Sequence, residues 1–345
     1  MKVFDISWQV TEPEYRADPA LSYSTLARFA REGFDKLDNL FDKLDTPSLT
    51  FGSAVDALIT GGQEEFDNNF MVADFPPLSD SVLKMVNALF SKYHVVHRIL
   101  NDIPNSDIIA LTEELKYQLN WKPETRAKVI KEQGGEYYSL LYAAGDRKVL
   151  DITTNEQVLA AVRALKESDA TKFYFAPNSI FDEDIIREYQ LKFKATLEGV
   201  DYRCMSDLLI TDNKNKVIYP IDLKTSSHTE WEFFDSFVQW QYHIQARLYW
   251  RIIRDNLDRN EYFKDYKLAD YKFIVVNKRT LTPLVWEFKD TQTFGTLTYG
   301  NKGQYEFKDP YELGKQLSYY LSSRPKVPQG ININESNDIV EWLNK

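Results

Sequence analysis

Three strand-like segments lie close together between residues 189 and 224, and they constrain the fold more than any other feature of the sequence. In the first, apolar residues at every second position from Tyr189 to Leu197 alternate with polar ones, which is typical of a strand with one buried face. Segments 203–210 and 216–224 flank a polar cluster that suits a hairpin turn. The sequence therefore predicts a β-sheet in the second half of the chain, built around this hairpin.

Helical patterns dominate the first half of the chain. Apolar residues three and four positions apart predict helices over 26–41, 51–59, 80–100, 106–119, 122–133 and 155–167, and glycine pairs follow the second and fifth of these. Beyond the hairpin, the pattern predicts one long helix over 230–254, strands over 271–276 and 284–288, and a last helix over 309–321. This order predicts an α/β fold with a helical N-terminal half.

Composition limits the function classes that the chain can serve. The net charge is −10, which argues against a uniformly basic nucleic-acid binder but not against an enzyme that grips DNA along one groove. One cysteine, Cys204, allows no intrachain disulfide and no site built from several thiolates, so a cytoplasmic location is expected. No apolar run approaches the roughly 20 residues of a membrane span, and the N-terminus lacks the apolar stretch of a secretory signal.

The predicted hairpin brings two acids and a lysine to one surface. A four-residue turn at 212–215 sets a register in which Asp207 lies opposite Pro220. Because side chains alternate between the faces of a strand, Asp207, Asp222 and Lys224 then project from the same face. Asp207 and Asp222 become diagonal neighbours, with Cβ atoms about 7–8 Å apart. A cation between the two carboxylates could be reached by both.

This arrangement predicts a magnesium site. Two like charges on one sheet face destabilise each other, whereas Mg²⁺ takes oxygen ligands and keeps waters for a phosphate substrate. The ion would be held by Asp207 and Asp222, with the backbone carbonyl of Leu223 as a further ligand. Lys224 would orient the attacking water or stabilise the charge that grows on the phosphorane. The alternative is a solvated strand pair with an ordinary Asp–Lys contact, but an apolar strand makes charge expensive there.

The same residues resemble a known family. Gly199-Val200, Asp207, the run 221–225 and the run Gln245 to Tyr249 are similar to the motifs of the PD-(D/E)XK nuclease superfamily. The resemblance is strongest to the phage branch around exodeoxyribonuclease VIII and lambda exonuclease, with kinship to RecB-type nucleases. It implies a restriction-endonuclease-like mixed β-sheet flanked by helices. It also implies a helical part at 1–178 packed on a nuclease core at 179–345, the two forming one integrated domain.

The resemblance assigns roles to individual residues. It implies that Asp207, Asp222 and Lys224 are catalytic and that the two acids bind metal. Gln245 and Tyr249, four apart on a helix, would help to place DNA or the lysine, with Gln241 one turn earlier as a weaker candidate. Thr225 and Ser226, just past the active strand, could hydrogen-bond phosphate.

Two further acids are weaker metal candidates. Ser22 to Leu26, Phe51 to Asp56 and Val149 to Glu156 extend the resemblance loosely towards the N-terminus. Where the family usually has histidine this chain has Asp56, which could bind Mg²⁺ or be an ordinary solvated helix residue. The upstream acid that the family often carries on its first core strand would be Glu188.

The function implied is Mg²⁺- or Mn²⁺-dependent hydrolysis of DNA. The branch consists of exonucleases that trim duplex ends in phage-type recombination, often as rings and together with a single-strand annealing protein. Two alternatives remain open at this point. One is a DNA-binding or assembly module that kept the fold but lost catalysis, and the other is a metal phosphoesterase that acts on a small substrate.

Overall fold

A computed structural model describes residues 1–34, 37, 40–41, 46–179, 184–289, 295–298 and 304–323. The helices are α1 (Glu12–Ala17), α2 (Tyr23–Glu32), α3 (Pro47–Thr60), α4 (Gly62–Asn69), α5 (Asp80–Tyr93), α6 (Asn105–Glu114), α7 (Pro123–Ala144), α8 (Ile152–Glu167), α9 (Phe233–Gln239), α10 (Tyr242–Asp258) and α11 (Pro310–Ser323). The strands are β1 (Phe70–Ala73), β2 (Lys148–Asp151), β3 (Ile185–Leu197), β4 (Val200–Asp212), β5 (Val217–Ser226), β6 (Lys267–Leu268), β7 (Tyr271–Asn277), β8 (Pro283–Phe288), β9 (Gly295–Thr298) and β10 (Gln304–Phe307).

The central sheet is mixed. Its strand order is β3-β4-β5-β7-β8, and β6 pairs with the start of β5. β4 runs antiparallel to both of its neighbours, β3 and β5. β5 and β7 are parallel and are joined by a crossover through α9 and α10. This confirms the predicted α/β fold, with a central mixed sheet flanked by helices and a helical N-terminal half.

Two apolar cores cover the opposite faces of this sheet. Alternate residues of β7 show the division, since Phe273 and Val275 belong to one core while Ile274 and Val276 belong to the other. α2, α10 and α11 pack into the first core, and α3 and α8 pack into the second. Helices from the first half of the chain therefore cover both faces of the sheet. The predicted division at residues 178 and 179 stays a prediction.

A third core belongs to the helices between β1 and β2. α5, α6 and α7 surround it, and β1 and β2 pair in parallel at its base. α7 continues through residues 134–135, so the prediction that a helix ends there is wrong. A Cβ added at Gly134 would lie 2.3 Å from Cγ2 of Val86, so glycine is what lets α5 and α7 approach closely. Among the described residues, nothing lies within 4 Å of a Cβ added at Gly135.

Other helices also differ from their apolar patterns, among them α5, which ends at Tyr93 and not at 100, and α6, which ends at Glu114 and not at 119. α2 ends at Glu32 because Gly33 takes a left-handed φ of 71° and its N–H bonds to the carbonyl of Phe29 at 2.8 Å. The predicted continuation to residue 41 falls partly outside the described residues. The long helix predicted over 230–254 is two helices, because Gln241 takes a left-handed φ of 58° between α9 and α10.

The hairpin turn lies one residue later than predicted. Residues 213–216 form it, and Asp212 lies opposite Val217. Asp212 stays in its strand because its carboxylate accepts hydrogen bonds from Asn215, from the backbone N–H at 2.9 Å and from the side-chain amide at 2.7 Å. An aspartate that closes a turn in this way is common, since its side chain imitates a backbone acceptor.

This turn shifts the register by two positions. Leu208 lies opposite Ile221, where the prediction had placed residue 219. Continuing the observed register, Asp207 lies level with Asp222 and not with Pro220, so the predicted diagonal relation is wrong. A shift of two keeps the predicted faces, because the side-chain period of a strand is two.

Throughout the described part of the chain, no helix combines the length and the apolar character needed to span a membrane.

Candidate active site

The site lies where the hairpin ladder opens. β4 and β5 pair only as far as Leu208 and Ile221, and β5 then continues beside β7 alone. On the other side of β4, the β3 ladder skips the position where Gln190 would pair with Asp207, because Gln190 takes a left-handed φ of 53°. Asp207 therefore sits in a gap on both sides. The backbone N–H of Leu223 donates to its Oδ2 at 2.9 Å, which fixes the carboxylate between the strands.

Asp222 and Lys224 form an ion pair in this opening. Nζ of Lys224 lies 2.5 Å from Oδ2 of Asp222, whose side chain is 2% exposed. The amide Nε2 of Gln245, on α10, donates to the other oxygen of the same carboxylate. Nζ of Lys224 also lies 5.1 Å from the centre of the Tyr242 ring. The cation is thus held between a carboxylate and an aromatic face.

Asp56 reaches the same opening from α3. Nε2 of Gln190 donates to both of its oxygens, at 3.0 and 3.3 Å. Burial raises the pKa of the Asp56 carboxyl to about 7, and the charges of Asp222 and Glu65 add to the increase, whereas Lys224 opposes it. The carboxylates of Asp56 and Asp222 are therefore close enough to repel each other, although they come from residues far apart in the sequence.

The remaining electrostatics have the same origin. Burial raises the pKa of Asp207 well above its ordinary value, and the charges of Asp222 and Asp56 raise it further. Burial alone would lower the pKa of Lys224, but the Asp222 carboxylate outweighs burial and the pKa is raised, so the ammonium stays protonated. One ammonium thus faces three buried carboxyl groups, so ionising all three is unfavourable unless a further cation joins them.

Tyrosine side chains border the site on the side of α10. Tyr242, Gln245 and Tyr249 lie three and four residues apart on one face of the helix. Tyr249 is buried, its ring centre lies 6.5 Å from that of Tyr23, and burial raises the pKa of its hydroxyl. The Asp222 and Asp207 charges add to that increase, which places Tyr249 beside both acids.

Two of the predicted site residues lie elsewhere. Both oxygens of Glu188 accept hydrogen bonds from the N-terminal 3-10 helix, from the N–H of Val3 at 3.0 Å and of Phe4 at 2.9 Å. Its carboxylate thus stabilises the start of the chain and is not brought to the opening. Gln241 lies outside the helix and donates to the carbonyl of Val238 at 2.8 Å, so it does not share a helix face with Gln245.

The residues after Lys224 have mainly structural contacts. The Ser226 hydroxyl is buried and accepts from the N–H of His228 at 3.0 Å. Thr225 is half-buried under α3, where a Cβ added at Gly52 would lie 3.1 Å from its Oγ1. Leu223 packs its side chain into the core on the α3 side of the sheet, as the alternation predicts.

The donor set fits a hard divalent cation, but the side chains are turned to other partners. In the described part of the chain, no three His, Cys, Asp or Glu side chains are arranged to hold a metal ion. The hydrogen bonds explain this, because the amides of Gln190 and Gln245, the N–H of Leu223 and the Lys224 ammonium each occupy a carboxylate. Oxygen ligands are nevertheless what Mg²⁺ prefers. Among the residues that the structure describes, none hydrogen-bonds to the buried Oε1 of Gln245.

Sequence reasoning missed three residues of the site. Tyr242 could have been found, because it lies on the same helix face as Gln245 and Tyr249. No local signal points to Gln190, whose position depends on an irregular strand, nor to Tyr23, whose ring lies 6.3 Å from that of Tyr242.

Comparisons with known proteins add little to this description. No family model matches the sequence, and no curated protein matches it. Solved structures to which the chain is similar include the crystal structure of a "putative exonuclease" from Eubacterium rectale. That protein is 14% identical, the match covers 82% of this chain and 79% of that one, and the TM-score is 0.43.

Proposed function

We propose that this chain is a metal-dependent nuclease that hydrolyses phosphodiester bonds in DNA. One observation carries the proposal: the buried Asp222–Lys224 ion pair lies beside Asp207 at the gap in the sheet, within reach of the charge of Asp56. Such a concentration of carboxylates destabilises a fold unless a cation joins it. The match to the motifs of the PD-(D/E)XK nucleases supports the same reading.

The chain's own groups have distinct tasks in this proposal. Asp207 and Asp222 hold Mg²⁺ or Mn²⁺, and Asp56 completes the oxygen set in place of the family's histidine. A bound divalent ion polarises a phosphoryl oxygen and lowers the pKa of a coordinated water. The Lys224 ammonium, which stays protonated, stabilises the charge that grows on the phosphoryl oxygens. Gln245 orients Asp222, and the backbone N–H of Leu223 orients Asp207.

We extend the proposal to the processing of DNA ends in phage-type recombination or replication. The support is the sequence resemblance to the exonuclease branch of the family. A ring of several copies and a single-strand annealing partner belong to this extension.

Mg²⁺ binding would compete with the contacts that Gln190, Gln245 and Lys224 make to the carboxylates, so binding and side-chain rearrangement would be coupled.

The test is cleavage of end-labelled linear duplex DNA with and without Mg²⁺. Asp222→Asn and Lys224→Ala should each lower the rate by about a hundredfold or more, since each removes a preorganised charge. Glu287→Gln is the matched control, because Glu287 pairs with Lys272 on the neighbouring strands β7 and β8. It should keep the wild-type rate.

The same assay separates the alternatives. No Mg²⁺-dependent loss of DNA in the wild type would overturn the proposal and favour an inactive binding module. Turnover of a nucleotide or sugar phosphate without competition by DNA would favour a small-substrate phosphoesterase. Cutting of closed circular DNA would remove the exonuclease extension and keep the nuclease.

A further inference from the structure

An exposed tryptophan lies at the corner between α9 and α10. The left-handed backbone of Gln241 separates Trp240 from Tyr242 and turns the two rings to different environments. Trp240 is 43% exposed, whereas Tyr242 faces inward and contacts Lys224. A non-glycine residue with a left-handed φ is strained and persists where the surroundings demand it, often at functional sites. The corner therefore presents an indole ring to solvent at a fixed position.

Two tyrosines link the backbone of Trp240 to Lys224. The carbonyl of Trp240 accepts a hydrogen bond from the hydroxyl of Tyr23 at 2.7 Å. The ring of Tyr23 lies 6.3 Å from that of Tyr242, and Nζ of Lys224 lies 5.1 Å from the centre of the Tyr242 ring. The two tyrosines thus connect the backbone at Trp240 to the Asp222–Lys224 ion pair. Trp240 therefore lies close to the site along the chain of contacts.

A cation accompanies the ring. The guanidinium of Arg31, near the end of α2, lies 5.4 Å from the centre of the Trp240 ring. Arg31 is exposed, and its charge lowers the pKa of Tyr23 and Tyr242 against the effect of burial, so it lies on the same side as the site. The exposed ring and the exposed guanidinium thus lie side by side at one place on the surface.

We propose that Trp240 and Arg31 form a subsite for single-stranded nucleic acid next to the site of hydrolysis. The indole stacks on an unpaired base, and the guanidinium pairs with the adjoining phosphate. Base–aromatic stacking is tolerant of sequence, because every base has a π-face, and arginine contributes charge and planarity together. The inference rests on the proposed function, since it names the form of the substrate, an unpaired DNA end, for that same site.

The first experiment measures binding alone, in EDTA, so that no hydrolysis takes place. Anisotropy of fluorescein-labelled oligothymidylate gives the affinity of the full chain, and quenching of tryptophan fluorescence reports stacking. Trp240→Ala should weaken binding by about tenfold. Trp121→Ala is the matched control, because Trp121 is 38% exposed but packs against Tyr117 in the helical region between β1 and β2. It should bind as the wild type does.

A second variant tests the phosphate contact. Arg31→Gln should weaken binding and reduce the slope of log affinity against log salt by about one, the change expected when one phosphate contact is lost. Trp240→Ala should leave this slope unchanged. Equal affinities of the Trp240→Ala and Trp121→Ala variants would overturn the subsite. A changed oligomeric state of Trp240→Ala in light scattering, with unchanged affinity, would assign the ring to contacts between copies instead.

Turnover of bis(p-nitrophenyl) phosphate, a diester without nucleobases, keeps this inference distinct from the proposed function. Trp240→Ala should lower kcat/KM for oligothymidylate more than for this diester. If Trp240→Ala weakens binding as expected but neither substrate is hydrolysed, the proposed nuclease function is wrong and the subsite stands. Hydrolysis of both substrates with the same loss in Trp240→Ala would remove the subsite and keep the nuclease.

Discussion

The helical region between β1 and β2 and the opening in the sheet bury their polar groups in different ways. In the helical region an apolar core fills the space, and the buried Arg126 reaches the exposed Glu113 at the surface. At the opening, Asp222, Asp207 and Lys224 are packed against one another and against Asp56. The first region gains stability from close packing, whereas the second gives up stability for a charge arrangement that a cation can complete. Their responses to substitution, metal and pH should therefore differ.

The largest effect is expected from breaking the buried ion pair. Lys224→Ala leaves Asp222 buried without its cation, which should lower the free energy of unfolding by about 3–5 kcal/mol in EDTA. Lys315→Ala removes a surface lysine that pairs with Glu198 and Glu312, and it should lower the free energy of unfolding much less, because solvent screens exposed ion pairs. Urea denaturation measures both. Equal losses would show that the opening is not electrostatically distinct.

Metal should stabilise the opening and not the helical core. With Mg²⁺ at about a hundred times its Kd, the free energy of unfolding should rise by about 2.7 kcal/mol, because only the folded state holds the ion. Asp222→Asn should abolish the increase, and Gly134→Ala should keep it. A full increase in Asp222→Asn would place the metal elsewhere in the chain.

Two adjacent glycines test the packing of the helical region. Gly134→Ala forces a methyl group against Val86 and should destabilise the protein by about 1–3 kcal/mol. Gly135→Ala meets nothing among the described residues and should stabilise the helix by about 1 kcal/mol. Thermal unfolding followed by circular dichroism gives both signs. Destabilisation by both substitutions would mean that α5 and α7 pack differently.

The pH dependence of stability is the smallest effect when it is taken over one pH unit, and it accumulates over the range between the two pKa values. The pKa of Asp56 is about 7 in the folded chain against 3.8 for a free side chain. The folded state therefore binds the proton more tightly, and in EDTA stability should fall as the pH rises from about 4 to about 7, by at most about 1.4 kcal/mol per pH unit for this one group. Asp56→Asn should reduce the slope and leave the part that Asp207 contributes, since burial raises the pKa of Asp207 as well. Glu124→Gln, on α7, should leave the slope unchanged, and a flat wild-type profile would contradict the assignment.

Local patterns predicted the elements better than their ends. The alternation in β3 and the apolar strand of β5 are visible in the sequence, and Asp207, Asp222 and Lys224 could be placed on one face from parity alone. The exact register could not, because the Asp212 side chain decides where the turn begins. The break between α9 and α10 at Gln241 could not be predicted either, because no glycine or proline marks it in the sequence.

Long-range partners explain the remaining errors. Glu188 has the right chemistry for a metal ligand, but its carboxylate is held by backbone N–H groups of Val3 and Phe4, which lie far away in the sequence. Gln190 bonds to Asp56 across a similar separation. Such contacts depend on the packed fold, so no window of neighbouring residues contains the information.

The parallel pair of β1 and β2 has an evolutionary consequence. The segment that carries α5, α6 and α7 begins after β1 and ends at β2. These two strands pair residue by residue, from Phe70 with Lys148 to Ala73 with Asp151. Both ends of the segment are thus held by the β1–β2 pair, which lies next to α3 and α8. A segment whose two ends are fixed in this way can be shortened, enlarged or exchanged between lineages while Asp56 on α3 keeps its position. Diversification of the segment therefore need not disturb the chemistry at the site.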